Sequence, residues 1–386
     1  MYLKKLYISR FRGIDEKEID FNKRLNILIG SRNSGKTSIV DSLLFLQKYV
    51  LTPTYSLEPL LHTWFTSSLT YMGSRKTSIL VKLEDNRDEL FLELDIDIRK
   101  NTIEEKYVYK DTILGVREGN WVVYNIYIDS SKPILKEAEK LEENIWESFE
   151  KKMIKFINPF NKTITGTINA YIFYYGFKTA YETLPSSLAN TLLEGVKDLK
   201  DKNKELLKNR LVELLRNVFK IIYLLRSSII VRGIDYKNAI GPSKLRGHVV
   251  DPYCSNLPWI IYSIQKNGRL YYINNCLKKM GLEERIRGVE KTIDRRYYLV
   301  ISSDKYIITR ESISLSIVKS IIICLSFCYP SNLVVVDDYD EYLDEELLIN
   351  SLKYMKNVDR QIILTTRRSI DEKYIDYDHS IVKLNT

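Results

Sequence analysis

One stretch of the sequence limits the possible fold and function of this chain more than any other. Residues 30–38 read GSRNSGKTS and satisfy the pattern G-x-x-x-x-G-K-[ST] at every required position. In such a loop the glycines let backbone N–H groups turn toward an anion, the lysine reaches the β- and γ-phosphates, and the next hydroxyl serves Mg²⁺. The pattern therefore predicts that a nucleoside triphosphate is held by Gly30, Ser31, Arg32, Asn33, Ser34, Gly35, Lys36, Thr37 and Ser38.

The flanking sequence agrees with this interpretation. Residues 25–29 form a short apolar run that predicts a buried strand, and residues 38–46 carry apolar side chains at helical spacing. A helix that begins at the loop directs the positive end of its dipole at the phosphates. A Gly/Ser loop that binds nothing is the alternative, and the strand-loop-helix context disfavours it.

A second motif lies far downstream. Residues 332–336 are apolar and end in Asp337 and Asp338. A strand that delivers a carboxylate to the phosphate loop supplies the ligand that Mg²⁺ needs in this type of site. We therefore assign Thr37 and Asp337 to the metal. Alone, the same letters would describe a buried strand entering an acidic turn, but the loop and the helix predicted over residues 344–356 favour the functional interpretation.

Length and composition limit the architectures that the chain can adopt. With 386 residues and 45% hydrophobic residues, the chain can form one large domain with an insertion, or two sub-lobes. The longest apolar run, residues 317–329, is interrupted by Lys319 and is shorter than the roughly 20 residues that cross a bilayer. Residues 1–8 alternate like a strand and not like a signal peptide. We expect a soluble, cytoplasmic protein without a membrane partner.

The cysteine pattern and the net charge limit which metal ions and which macromolecular partners are expected. The four cysteines contain no C-x-x-C pair, so no metal beyond Mg²⁺ is expected, and Cys324 and Cys328 are expected in the core and not as a redox pair. The net charge of +9 is compatible with a polyanionic partner. Because the basic residues are scattered, solvated faces and nucleic-acid contacts both remain open.

Two segments resemble a known family. Residues 3–46, LKKLYISRFRGIDEKEIDFNKRLNILIGSRNSGKTSIVDSLLFL, resemble the opening of ABC-type ATPase heads of the RecF, SMC and OLD group, in which a strand ending in Phe-Arg precedes the phosphate loop. Residues 255–282, SNLPWIIYSIQKNGRLYYINNCLKKMGL, resemble RecF and OLD-type ATPases and predict two successive helices. The resemblance implies an α/β fold, namely a P-loop NTPase of the ABC-ATPase head type.

The resemblance also implies an organisation for the chain. We expect one stand-alone ATPase head over residues 1–386, without a long coiled coil or a nuclease domain. It divides into an N-terminal part with the phosphate loop and an antiparallel β lobe, a small helical insertion, and a C-terminal part with signature-like, Walker B and switch segments: residues 1–131, 132–228 and 229–386. Alternation predicts the β strands over residues 78–129.

The insertion is predicted to contain two helices. They are expected over residues 133–157 and 186–225, and Pro185 gives the second a start signal. The second carries an apolar stripe at helical spacing. Packing within the protein and partner binding are both compatible with this stripe.

The chain departs from the resembled pattern at four positions. The glutamate that polarises the attacking water is replaced by Asp338, one methylene shorter, and the switch histidine is replaced by Arg367, which can stabilise phosphate charge but cannot relay a proton. In the signature-like segment, Ser312 keeps the serine that contacts the γ-phosphate of a second protomer, but Glu311 and Ser314 replace Leu and Gly. Alternatively, Ser312 or Ser314 only caps the following helix.

These residues predict an ATP-binding protein with slow, Mg²⁺-dependent hydrolysis. Lys36, Asp338 and Arg367 are the candidate catalytic residues, with Ser312 added to the nucleotide contacts. The resemblance implies DNA maintenance or anti-virus defence, an ATP-dependent homodimer, and DNA or an unidentified protein as a partner. A nucleotide-gated interaction protein with little hydrolysis is the main alternative. A transporter ATPase subunit is disfavoured by the Phe-Arg strand and by the wide separation of the two motifs.

Overall fold

The structure, a computed structural model, divides into two compact units. One comprises residues 1–20 and 45–226, called here the first unit, and the other comprises residues 21–44 and 227–386, the second unit. The structure describes the following residues: 1–52, 57, 60, 69–86, 88–110, 112–117, 120–124, 127–129, 132–133, 139–141, 163–194, 201–245, 247 and 249–384.

The first unit is built on an antiparallel sheet of eight strands in the order β11-β8-β7-β6-β5-β4-β1-β2. Its strands are β1 (Tyr2–Phe11), β2 (Ile14–Asp20), β4 (Lys76–Asp85), β5 (Asp88–Asp97), β6 (Thr102–Tyr109), β7 (Thr112–Arg117), β8 (Asn120–Tyr124) and β11 (Glu139–Leu141). Buried and less buried residues alternate along β4 and β6, as a sheet with one covered face requires. The antiparallel lobe predicted from residues 78–129 is confirmed.

The helical prediction for residues 133–157 is wrong where the structure describes them. Lys132–Pro133 forms β10, which pairs with β9 (Tyr127–Asp129), and Glu139–Leu141 forms β11, which pairs with β8 through Lys140 and Val122. Strand pairing at the edge of an existing sheet outweighs local helix propensity here. The rest of that prediction lies outside the described residues.

The helices that follow also begin elsewhere than predicted. They are α2 (Ile164–Tyr175), α3 (Phe177–Glu194) and α4 (Asp201–Ser227). Pro185 lies inside α3 and does not start a helix. Proline removes one helical hydrogen bond, but Leu184 and Leu188 beside it are buried, so packing retains the helix across it. The apolar stripe of α4 is buried at Leu207, Leu211, Leu214, Leu215 and Val218, so packing within the protein accounts for it.

The second unit contains a parallel sheet of five strands in the order β12-β16-β17-β3-β18. These strands are β3 (Leu25–Gly30), β12 (Ile229–Val231), β16 (Leu333–Val336), β17 (Gln361–Thr366) and β18 (His379–Leu384). Four of them are short, nearly continuous apolar runs, which is typical of strands buried on both faces. Because all five run in the same direction, the segments that follow β3, β12, β16 and β17 lie at one edge.

Helices and a small sheet complete the second unit. The helices are α1 (Lys36–Leu51), α5 (Tyr236–Ile240), α6 (Leu257–Lys266), α7 (Leu270–Met280), α8 (Leu315–Cys328) and α9 (Glu345–Met355). The last residues of α1 belong to the first unit. The strands of the small antiparallel sheet are β13 (Arg285–Lys291), β14 (Tyr297–Ser302) and β15 (Ile307–Ile308). The two helices predicted over residues 255–282 are α6 and α7. Cys324 is buried in the core beside Met280, with 3.4 Å between the sulfurs.

In the part of the chain that the structure describes, no helix combines the length and the apolar character needed to cross a membrane.

Candidate nucleotide site

The phosphate loop joins the end of β3 to the start of α1. Two residues in it have left-handed backbone conformations, Asn33 with φ of +66° and Gly35 with φ of +88°. Gly30 is required for space, because a Cβ there would lie 2.3 Å from the Ser34 hydroxyl oxygen. The loop therefore folds tightly back on itself, and its shape depends on the two glycines that the motif specifies.

Lys36 points into this loop. Its ammonium donates hydrogen bonds to the carbonyl oxygens of Gly30, at 2.5 Å, and Ser31, at 2.7 Å. Burial lowers the pKa of Lys36, and the negative charge of Asp338 is the main effect that opposes this shift. The loop carbonyls thus hold the Lys36 ammonium at the position where the motif predicts that it contacts phosphate.

The carboxylate of Asp337 meets the phosphate loop at the carboxyl edge of the sheet. The Thr37 hydroxyl donates to Asp337 Oδ2 at 3.0 Å, and the Thr365 hydroxyl donates to Oδ1 at 2.5 Å. The Asp337 side chain is fully buried. Burial raises the pKa of this carboxyl, and the hydrogen bond from Thr365 opposes that shift.

Arg232 supplies a positive charge next to Asp337. This residue directly follows β12, and its guanidinium lies 3.1 Å from Asp337 Oδ2 and 2.8 Å from Asp41 Oδ1. Although burial opposes it, the two carboxylates raise the pKa of Arg232 above its ordinary value. The buried Asp337 carboxylate therefore has a cationic partner from the protein itself.

Asp338 has a different environment from its neighbour. Its backbone φ is +42°, a conformation that non-glycine residues rarely adopt, and its amide donates to the Thr365 hydroxyl at 2.8 Å. Its carboxylate is partly exposed and pairs with the Arg367 guanidinium at 3.2 Å. Thr365 thus fixes the side chain of one aspartate and the backbone of the next.

Asp340 and Lys319 support the turns around these carboxylates. Asp340 accepts hydrogen bonds from the amides of Arg367, at 3.3 Å, and Arg368, at 3.2 Å. The Lys319 ammonium donates to the backbone carbonyls of Asp337, at 3.3 Å, and Asp338, at 3.0 Å. Burial lowers the pKa of Lys319. The lysine that interrupts the apolar run in α8 therefore fixes the end of β16.

Most of the sequence-predicted site residues lie together in the second unit. Residues 30–38, Asp337, Asp338 and Arg367 all belong to its carboxyl edge, and the roles assigned to them remain predictions. Ser312 lies instead on an exposed turn, where its hydroxyl is 2.9 Å from that of Thr309. Ser314 caps α8 by accepting from the Ile317 amide at 3.2 Å.

The donor set fits Mg²⁺. The Thr37 hydroxyl and the Asp337 carboxylate are both oxygen ligands, they are within hydrogen-bond distance of each other, and they adjoin the phosphate loop. Mg²⁺ prefers a few protein oxygens of this kind together with phosphate and water ligands.

The sequence motifs do not identify Arg232, Thr365 and Asp41 as residues of this site. Arg232 follows one apolar strand and Thr365 lies near the end of another, whereas Asp41 lies in the predicted helix, one turn beyond Thr37. A polar residue at the end of a buried strand is the signal that could have identified the first two. Which strand ends adjoin β16 depends on strand order, which no motif encodes.

A parallel sheet whose phosphate loop meets an acidic strand end defines a P-loop nucleotide-binding protein. Comparison with protein families makes this specific, because the AAA ATPase domain family matches residues 1–275. The chain belongs to this family. This family consists of ATPase domains, in agreement with the nucleotide site that the sequence predicts.

Curated relatives resemble the N-terminal segment. The DNA replication and repair protein RecF of Clostridium acetobutylicum is 51% identical over 45 residues, which cover 12% of this chain and 12% of that protein. RecF of Francisella tularensis subsp. novicida is 44% identical over 46 residues, covering 12% and 13%. The chain thus aligns with about an eighth of these relatives. The family match confirms the predicted P-loop ATPase class, and the similarity of the N-terminal segment to RecF agrees with the resemblance stated from the sequence.

Solved structures of SMC heads align along nearly the whole chain. The Smc head domain of Pyrococcus furiosus, with an extended coiled coil and bound to the C-terminal domain of ScpA, is 12% identical over 97% of this chain and 92% of that one, with a TM-score of 0.45. The SMC head domain of Thermotoga maritima is 12% identical over 98% and 94%, with a TM-score of 0.37. Scores this low carry no weight in the assignment, which rests on the family match.

Proposed function

We propose that the second unit binds ATP with Mg²⁺ and hydrolyses it slowly. The observation that carries this proposal is the hydrogen bond of 3.0 Å between Thr37, on the phosphate loop side, and Asp337, at the end of β16. These residues are 300 positions apart in the chain. This contact supports the proposal, because the two segments that the sequence assigns to phosphate and to metal are adjacent in the fold.

The binding step follows from the loop. Lys36 exchanges its two carbonyl partners for β- and γ-phosphate oxygens, and the amides of the loop and of the α1 N-terminus face the same charge. Thr37 and Asp337 would hold Mg²⁺, which neutralises phosphate charge when it is bound. The buried setting of Asp337 strengthens these electrostatic interactions, since little water competes for its oxygens.

In the chemical step, a water oxygen forms a bond to the γ-phosphorus while the bond from phosphorus to the β,γ-bridging oxygen breaks. The bond electrons leave with ADP, and the water proton is transferred to Asp338 or to the released phosphate. Lys36 and Arg367 stabilise the negative charge that develops on the phosphate oxygens. In the structure, however, Asp338 is paired with Arg367 at 3.2 Å. Slow hydrolysis follows, because this ion pair must open and the carboxylate is one methylene shorter than a glutamate.

The proposal is tested by titrating the full chain with ATP and Mg²⁺ and by measuring phosphate release. Lys36→Ala is expected to weaken ATP binding by at least about tenfold and to abolish turnover. Lys353→Ala is the matched control, because that lysine is exposed on α9 of the same unit. A wild-type chain that binds no ATP, or equal binding by the two variants, would contradict the proposal.

A second candidate function is a nucleotide-gated interaction protein with little hydrolysis. The observation in its favour is again the ion pair between Asp338 and Arg367, which occupies the carboxylate proposed to orient water. Turnover of the wild type that falls in Asp338→Asn, with ATP affinity unchanged, would exclude this candidate. ATP binding without any turnover that depends on Asp338 would support it.

We further propose a role in DNA maintenance or in defence against viruses, with DNA or a protein as partner and an ATP-dependent homodimer as the active form. The support is the net charge of +9 and the similarity of the N-terminal segment to RecF. Charge-driven DNA binding weakens steeply as salt rises. Binding curves over a salt series, with sedimentation in the presence and absence of ATP, test both parts, and no DNA binding at low salt would exclude the DNA partner.

A further inference from the structure

No sequence motif predicts Arg232 as a site residue, and its position in the fold is unusual for an arginine. It follows β12, whose register with β16 pairs Val231 with Val336, so the residue after each strand comes to the same place at the sheet edge. The amides of Arg232 and Gly233 donate to the Pro252 carbonyl at 2.6 and 3.1 Å. The backbone of this arginine is therefore fixed next to Asp337.

Its guanidinium is shared between two buried carboxylates. Nε contacts Asp41 Oδ1 at 2.8 Å, and Nη1 contacts Asp337 Oδ2 at 3.1 Å, while the side chains of Asp41 and Asp337 are 4% and 0% exposed. A planar guanidinium presents several donors in fixed directions, so it can serve both acids at once. Lysine, with a single ammonium, has no such geometry.

The oxygen that Arg232 contacts is also the one nearest the phosphate loop. Asp337 Oδ2 accepts from both Thr37 and Arg232, whereas Oδ1 accepts from Thr365. A buried carboxylate without a nearby cation is strongly unfavourable. Arg232 therefore provides at Oδ2 the positive charge that a metal ion would provide in the nucleotide complex.

We propose that Arg232 is a positioning residue that acts as an internal counter-cation for Asp337 and yields Oδ2 to Mg²⁺ when metal and nucleotide enter together. This inference rests on the proposed function of the same site. It also predicts the order of binding. Free divalent cations bind poorly to the nucleotide-free chain, because they must displace Arg232. The phosphates of ATP supply the additional negative charge that makes the exchange favourable.

The test uses Mn²⁺ alone with the full, nucleotide-free chain, and measures free Mn²⁺ by electron paramagnetic resonance. Arg232→Gln is expected to raise Mn²⁺ affinity by about tenfold or more, because it removes the competing charge and leaves the carboxylate. Adding Asp337→Asn to this variant is expected to return the affinity to the wild-type level. Arg24→Gln is the matched control, since Arg24 belongs to the same unit and donates to the backbone carbonyls of Lys356 and Val358.

Arg232→Lys provides a second measurement in case the glutamine variant does not fold. The lysine keeps one positive charge but cannot serve Asp41 and Asp337 together, so Mn²⁺ affinity is expected to rise by a smaller factor of about threefold. Affinities within twofold of the wild type in every folded Arg232 variant would overturn the inference. So would an increase that persists when Asp337 is replaced.

These outcomes are separable from failure of the proposed function. If the wild type binds no ATP but Arg232→Gln gains Mn²⁺ affinity through Asp337, the counter-cation stands and the ATPase proposal fails. If ATP binds but Mn²⁺ affinity is insensitive to Arg232, the ATPase proposal stands and Arg232 is only a structural ion pair.

Discussion

Thr365 offers the sharpest test of how the two aspartates are held. Its hydroxyl donates to Asp337 Oδ1 at 2.5 Å and accepts from the Asp338 amide at 2.8 Å, and the residue is fully buried on β17. Thr365→Val keeps the shape of the side chain and removes only the hydroxyl. The change therefore isolates two hydrogen bonds at the centre of the site.

The expected cost follows from these two bonds. Losing a hydrogen bond to a charged group costs about 1.5–3 kcal/mol, and leaving a buried amide without a partner costs about 1–3 kcal/mol. Asp337 keeps Arg232 and Thr37 as partners, so we expect a total near the lower half of this range, about 3 kcal/mol. Thr365→Ser is the control, because it keeps the hydroxyl and loses one buried methyl, which costs about 1 kcal/mol.

The assay is urea unfolding of both variants and the wild type, combined with hydrogen exchange at the Asp338 amide. The valine variant is expected to lose about 2 kcal/mol more in unfolding free energy than the serine variant, and to exchange its Asp338 amide faster. If the two variants are equally stable and equally protected, the hydroxyl does not hold these aspartates and the reasoning is refuted.

Three further predictions address other parts of the molecule. Asp338→Glu restores the longer carboxylate and is expected to raise phosphate release severalfold at unchanged ATP affinity; equal or lower turnover would show that side-chain length is not limiting. Burial raises the pKa of Glu105 above its ordinary value of 4.5, so the folded chain binds that proton more tightly than the unfolded chain. The stability of the wild type relative to Glu105→Gln should then fall as pH rises from 4.5 toward neutrality, and a flat difference in urea midpoints would contradict this. Ser314→Ala removes the cap of α8 and is expected to cost about 1 kcal/mol in urea unfolding, whereas Ser312→Ala, on the preceding exposed turn, is expected to cost less.

Some elements could be predicted because their signals are local. The phosphate loop needs glycines at two positions, and the structure explains why, through the space that Gly30 leaves for Ser34. Buried parallel strands are short apolar runs, so the strands β3 and β16 could be predicted before their partners were known. The antiparallel strands followed from alternation in the same way.

Other elements could not be predicted because tertiary contacts override local preference. Pro185 is a start signal in isolation, but the buried side chains around it retain a continuous helix. Residues 139–141 have no strong strand pattern, and only an available edge at β8 makes them a strand. Likewise, the choice between Ser312 and Ser314 as helix cap depends on backbone geometry that the sequence leaves open.

The sequence by itself determined that this chain carries a phosphate-loop motif and an acidic strand end, and from these it predicts which residues contact phosphate and metal. Only the tertiary structure decided what surrounds them. The strand order β12-β16-β17-β3 brings Arg232, Asp337, Thr365 and the loop to one edge, although they come from distant parts of the chain. The physical reason is that a motif specifies backbone geometry over a few residues, whereas the charge balance of a buried carboxylate depends on which strands lie beside it.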